Sequence, residues 1–88
     1  MIDKLKFEKM NGLIPVIVQD ATTRQVLMLG YMNKAALSKT LEERRVTFWS
    51  RSKNRFWQKG ETSGNVLEVA SMKADCDGDA LLVYAHPT

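Results

Sequence analysis

Apolar positions in this chain fall mostly in short runs or at a spacing of two, which is strand patterning, with one stretch at helical spacing. Leu13-Ile14-Pro15-Val16-Ile17-Val18-Gln19 is rich in β-branched residues and predicts a strand, with Pro15 marking a sheet edge or the strand's start. Asp20-Ala21-Thr22-Thr23-Arg24 has turn chemistry, and Gln25-Val26-Leu27-Met28-Leu29-Gly30-Tyr31 predicts the returning strand of a hairpin. Asn33 suits an N-cap, and Ala36, Leu37, Thr40 and Leu41 follow at helical spacing. A helix of about three turns over 34–44 is expected, with Arg44 and Arg45 at its negative end.

Val46-Thr47-Phe48-Trp49-Ser50 and Arg55-Phe56-Trp57-Gln58-Lys59 predict two more extended segments around an Arg51-Ser52-Lys53-Asn54 turn. Val66 to Lys73 alternates in part, whereas Ala80-Leu81-Leu82-Val83-Tyr84-Ala85 is wholly apolar, so both predict strands, the second more deeply buried. No repeat, low-complexity tract or linker divides the chain, and one domain is expected. About five to seven strands with one substantial helix make an α+β fold, a small mixed and mostly antiparallel sheet, barrel-like, with one main helix.

Composition narrows the classes. At 88 residues, 44% hydrophobic and 26% charged, the chain is ordinary for a globular protein and not disordered. Size scaling gives roughly 5,200 Å² of surface folded against about 14,500 Å² unfolded, enough burial for one small core. The single Cys excludes an intrachain disulfide, and one Cys with one distant His is a thin supply for a self-contained zinc site. A net charge of +3 favours anionic partners. Met1 to Met10 lacks the apolar core of a signal peptide, and no run approaches the ~18 apolar residues that span a bilayer. A cytoplasmic location is expected, where an unpaired thiol stays reduced.

Three segments carry candidate chemistry. Asp75-Cys76-Asp77-Gly78-Asp79 places three carboxylates on one side if the segment is extended, with Cys76 opposite. Such like charges repel unless a cation joins them; the oxygens suit Mg²⁺ or Ca²⁺ and the thiolate suits Zn²⁺. The plain alternative is an acidic hairpin turn in which Asp-Gly supplies the residue at positive φ. A calcium loop is excluded, because Ala80 and His86 stand where Gly and Glu are needed. The stretch from Phe48 to Gly60 interleaves aromatic and basic residues, which suits single-stranded nucleic acid, one phosphorylated nucleotide, or simply a hairpin with buried rings and exposed charges. Gly60-Glu61-Thr62-Ser63-Gly64-Asn65 can cradle a phosphate or be only a turn, and it is no Walker A sequence. His86 is more simply incidental than catalytic.

Taken in order, Phe48-Trp49-Ser50-Arg51-Ser52, Trp57-Gln58-Lys59-Gly60-Glu61-Thr62-Ser63-Gly64-Asn65 and Asp75-Cys76-Asp77-Gly78-Asp79 resemble the phosphoribosyl-AMP cyclohydrolases of histidine biosynthesis. Gly12 to Gln19 and Val26 to Asn33 are similar to that family too, so the resemblance runs from about Phe7 to the last residue. It implies hydrolytic opening of the adenine ring of phosphoribosyl-AMP at its N1–C6 bond. It also implies a homodimer with the active site at the subunit interface, one Zn²⁺ and a Mg²⁺ site, with no role for nucleic acid or membrane. Asp75, Asp77 and Asp79 match the family's magnesium ligands and Cys76 its first zinc ligand. Zinc would acidify a water for attack on the ring carbon. Trp49, Ser50, Arg51 and Lys59, with Gly60, Glu61, Thr62, Ser63, Gly64 and Asn65, are then expected to hold the ribose phosphates and the ring.

One departure accompanies the resemblance. The family's remaining zinc ligands lie in a Gly-Pro-x-Cys-His-x-Gly segment and a further Cys, supplied by the partner subunit. This sequence ends at Ala85-His86-Pro87-Thr88, where that segment would begin, and His86 does not stand at the family's His position. Residues 1–88 are therefore expected to be the cyclohydrolase domain without its zinc-completing segment, poorly active alone. In some bacteria the domain is fused to a phosphoribosyl-ATP pyrophosphatase.

Overall fold

The computed structural model describes residues 5–60 and 64–87. A short 3-10 helix at Phe7–Met10 leads into strand β1 (Ile14–Asp20), which pairs with β2 (Val26–Met32). Helix α1 (Lys34–Glu43) follows, then the hairpin β3 (Thr47–Ser50) and β4 (Arg55–Gln58), and finally the hairpin β5 (Leu67–Ala74) and β6 (Leu81–Pro87). The main sheet runs β2-β1-β6-β5, and β3-β4 forms a separate two-stranded ribbon. All pairings are antiparallel except β1 with β6. The fold is α+β with a mixed, mostly antiparallel sheet, as the pattern predicts. The sheet is open, with β2 and β5 at its edges, so the barrel-like expectation does not hold in detail.

Pro15 marks a strand start and not an edge. β1 lies inside the sheet, and its parallel ladder with β6 begins one residue later, at Val16 opposite Leu81. Proline is tolerated there because its missing N–H is not required by the ladder. The apolar run of β6 is more deeply buried than β5, as its pattern predicts. Leu81, Val83 and Ala85 face the core while Leu82 and Tyr84 are only half-buried, because a single face of the sheet is covered.

The covered face carries Ile14, Val16, Val18, Leu81, Val83 and Ala85, packed with Phe7, Met32, Ala36, Leu37, Val46 and Phe48. The folded surface is 5324 Å², close to the size expectation above. Asn33 caps α1, its side chain accepting a 2.7 Å hydrogen bond from the Ala36 N–H. The helix ends at Glu43, one residue early, because Arg44 takes a left-handed conformation at φ 60° and its N–H donates to the Thr40 carbonyl. Arg44 thus caps the helix instead of sitting in its last turn, and Leu41 is exposed, not core. Among the described residues no helix is long and apolar enough to cross a membrane.

Two contacts seat the β3-β4 ribbon on this frame. The buried Thr40 hydroxyl donates to the Ala36 carbonyl (2.8 Å) and accepts from the Thr47 N–H (3.0 Å), joining α1 to β3. The ring of Phe48 lies directly over Gly30 of β2, where an added Cβ would come within 2.5 Å of the ring. Gly30→Ala is therefore expected to lower stability by about 1–3 kcal/mol, the usual cost of overpacking. Chemical denaturation measures the loss, and a red shift of tryptophan emission would report the ribbon's displacement; an unchanged unfolding midpoint would refute the close approach.

Candidate functional site

The residues singled out from the sequence form three groups. The first is the connection between β5 and β6. Asp75 to Asp79 is a turn and not an extended segment, so strand alternation does not place its side chains. Gly78 adopts φ 77° and its N–H donates to the Asp75 carbonyl, while the Asp75 N–H donates to the Ala80 carbonyl. The Asp75 carboxylate accepts the N–H groups of Asp79 (2.9 Å) and Ala80 (3.2 Å). The Asp-Gly turn and the carboxylate cluster are thus one object. Curvature brings oxygens of Asp75, Asp77 and Asp79 within 4.8 Å of one another. Cys76 is exposed, and its thiol points at the Asp77 carboxylate (3.8 Å), at the rim of the cluster and not on an opposite face. The Lys6 N–H donates to the Gly78 carbonyl and ties the N-terminal segment to this turn.

Crowding of like charges sets the local acidity. Asp79 is pushed above the ordinary carboxylate range, first by its hydrogen bond with Asp75, then by partial burial and by the negative charges of Asp75 and Asp77. For Asp75, burial is the largest single influence and acts upward. It is outweighed by hydrogen bonds from the Asp79 side chain and from the Ala80, Asp79 and Gly78 backbone, so the net shift is downward. Asp79 is thus the more readily protonated of the two. Hard oxygen donors so close together fit a small divalent cation, which would compete with protonation of Asp79.

The second group is built by the β3-β4 ribbon. Cross-strand pairs Phe48–Trp57 and Trp49–Phe56 alternate faces. Phe48 and Trp57, with ring centroids 4.9 Å apart, turn toward β2. On the other face Gln58 donates to the Thr47 hydroxyl (2.8 Å) and the Glu43 carboxylate (3.0 Å), which locks β4 to the end of α1. Trp49, Ser50 and Arg51 come together with Tyr31, Ser52 and Trp57 around a hollow of about 650 Å³ at the β2 edge. The Arg51 guanidinium lies 5.8 Å from the centre of the Tyr31 ring. A second hollow of about 300 Å³ is lined by Ser50, Lys53, Arg55 and Trp57. Tyr31 is the lining residue that sequence reasoning misses, since nothing in a hairpin pattern singles it out. Trp57, Lys53 and Arg55 stand in the aromatic and basic stretch and were open to view.

The third group is the loop after β4. Gly60 has φ +83°, and a side chain there would run into the Asn65 backbone. The Gly64 N–H donates to the Gly60 carbonyl at 2.6 Å, closing the loop. Lys59 is exposed beside it and lines neither hollow described above. Gly64 instead borders a different depression, with Glu43, Arg44, Arg45, Val66 and Glu68. Asn65 is exposed, and Glu61, Thr62 and Ser63 lie outside the described residues. The fold therefore gathers Trp49, Ser50 and Arg51 in one place and the three aspartates with Cys76 in another, while Gly64 borders a third depression.

A small open-sheet domain with an acidic turn and an aromatic, basic hollow is the class that the architecture defines. Residues 28–88 match the phosphoribosyl-AMP cyclohydrolase family, and the chain belongs to it. It is 60% identical over 87 residues to the histidine biosynthesis bifunctional protein HisIE of Photobacterium profundum, covering 99% of this chain and 42% of that protein. Its identity to the proteins of the same name is 63% in Bacteroides thetaiotaomicron and 62% in Escherichia coli, each over 84 residues, 96% of this chain and 41% of theirs. The chain thus spans well under half the length of these relatives.

The upward shift of Asp79 yields a signed pH dependence for cation binding, which competes with a proton there. A cation bound by the cluster competes with that proton, so Mg²⁺ or Mn²⁺ affinity is expected to fall as pH drops toward Asp79's raised pKa and to level off above it. Calorimetric titration at several pH values measures it, and an affinity independent of pH would contradict the upward shift of Asp79.

Proposed function

We propose that this chain carries the ring-opening activity of its family, hydrolysis of phosphoribosyl-AMP at the N1–C6 bond of the adenine ring in histidine biosynthesis. The observation that carries the reading is the turn at Asp75–Asp79, which sets three carboxylates and an exposed thiol together on one hairpin. Asp75, Asp77 and Asp79 would hold Mg²⁺, for which oxygen donors are apt. Cys76 would be one ligand of Zn²⁺, and its exposure leaves it open to ligands from outside this segment. Zinc, when bound, supplies Lewis acidity and lowers the pKa of water. The chain's own groups do the rest: Trp49, Trp57 and Tyr31 offer flat walls to the base, and Arg51 meets phosphate.

The same reading includes a homodimer whose copies complete each other's sites. One thiol falls short of a zinc site, and the aspartate turn does not contribute to the lining of the aromatic hollow. A second copy would also cover the open face of the sheet, where Leu29 (59% exposed), Ile17 (38%) and Leu82 stand side by side across three strands. Burial of such a row relieves an exposed apolar patch.

The full-length protein carrying this chain, supplied with Zn²⁺ and Mg²⁺, is expected to convert phosphoribosyl-AMP with the absorbance change of a broken purine ring. Asp77→Asn should lower turnover at limiting Mg²⁺ by about tenfold or more, because one ligand charge is lost. Failure of the loaded, folded protein to open the ring would overturn the proposal. Sedimentation is expected to show two copies per particle at micromolar concentration and a single copy for Ile17→Glu. A monomer in the unmodified protein would count against a shared site.

A further inference from the structure

The peptide unit joining Gly78 to Asp79 is gripped from both sides. Its carbonyl accepts the Lys6 N–H (2.8 Å), and its N–H donates to the Asp75 carboxylate (2.9 Å). We propose that the main-chain amide of Lys6 is a positioning group for a cation at Asp75, Asp77 and Asp79, acting through this one peptide unit. The inference rests on the magnesium role proposed above for the three aspartates.

Peptide geometry carries the coupling. The unit is planar, so its carbonyl and its N–H point in opposite directions and cannot turn independently. Rotating the plane to free the Gly78 carbonyl from Lys6 also swings the Asp79 N–H away from Asp75. Two hydrogen bonds in series polarise each other as well. The Asp79 and Ala80 N–H groups both go to the same Asp75 oxygen, Oδ1, which fixes how that carboxylate faces the cluster. The bonds among Asp75, Gly78, Asp79 and Ala80 are internal to the turn, whereas the bond from Lys6 comes from the far end of the chain.

Both ends of that bond are firmly placed. Lys6 stands between Leu5 and Phe7, 5% and 2% exposed, which belong to the core. Asn11 at φ 56° and Gly12 at φ 88° then turn the chain into β1, and the N–H groups of both donate to the Phe7 carbonyl. On the other side, Gly78 is buried although Asp75, Cys76 and Asp77 are exposed. A buried carbonyl needs a donor, and Lys6 supplies one. Linkage makes the effect reciprocal: a cation that binds more tightly when this bond is made must also strengthen the bond.

The test titrates Mg²⁺ into the full-length protein by calorimetry, the binding step weakened in Asp77→Asn being the one assigned to the cluster. Lys6→Pro removes the N–H and is expected to weaken that step by about three- to tenfold. Lys6→Ala keeps the N–H and should stay within about twofold, which separates the amide from the side-chain charge. Amide hydrogen exchange of the unmodified protein gives the reciprocal reading and decides alone if Lys6→Pro does not fold. Saturating Mg²⁺ is expected to slow exchange at Lys6 several-fold more than in β2, at the opposite edge of the sheet. Unchanged affinity in a folded Lys6→Pro, equal weakening by Lys6→Ala, or Lys6 exchange indifferent to Mg²⁺ would overturn the positioning role and leave the magnesium site standing. Absence of any binding step sensitive to Asp77→Asn overturns the magnesium reading itself, and this inference with it.

Discussion

The ring of Phe48 occupies the space that any side chain at position 30 would need, and the placement of the β3-β4 ribbon depends on that contact. A glycine inside a strand weakens the strand, and it is found where another element must come close. Here the close element is the ribbon bearing the aromatic and basic residues. Once Phe48 is seated, the cross-strand register puts Trp57 beside it, and Trp49, Ser50 and Arg51 meet Tyr31 at the sheet edge. Thr40 and Gln58 fix the other side of the ribbon to α1, through a buried hydroxyl and a two-bond amide. The hollow is thus held from both faces by elements distant in sequence.

The acidic turn obeys a different constraint. Three carboxylates crowded within 4.8 Å would repel one another, and the backbone meets part of that cost by aiming N–H groups of Asp79 and Ala80 at Asp75. The same crowding makes Asp79 easier to protonate than an ordinary aspartate. A turn that crowds three carboxylates together is chemically distinct from an ordinary polar reversal, although both use Asp-Gly for the same conformational reason.

Local pattern was sufficient for most of the fold. β-branched runs, Asn33 as a cap and the polar turns located every described strand and the helix to within a residue or two, because each signal acts over a few neighbouring residues. Errors fell where a distant partner decides. Pro15 reads equally as edge or start until the position of β6 is known. Arg44 belonged to the helix by spacing, but its left-handed cap and its side-chain bond to the Val69 carbonyl belong to the packing against β5.

For the site, the residue types were legible and their company was not. Three aspartates around a cysteine, two tryptophans among basic residues and a loop bounded by glycines announce metal, anion and ring chemistry by composition and order alone, and these segments carry the family resemblance. Only the tertiary structure decided that the aspartates converge through a turn instead of strand alternation, and that Tyr31 joins Trp49 and Arg51. It also decided that Gly64 sits by Arg44 and Arg45. The reason is physical: donor chemistry and turn propensity reside in single residues and their neighbours, whereas convergence depends on how strands far apart in the chain pack across one small core.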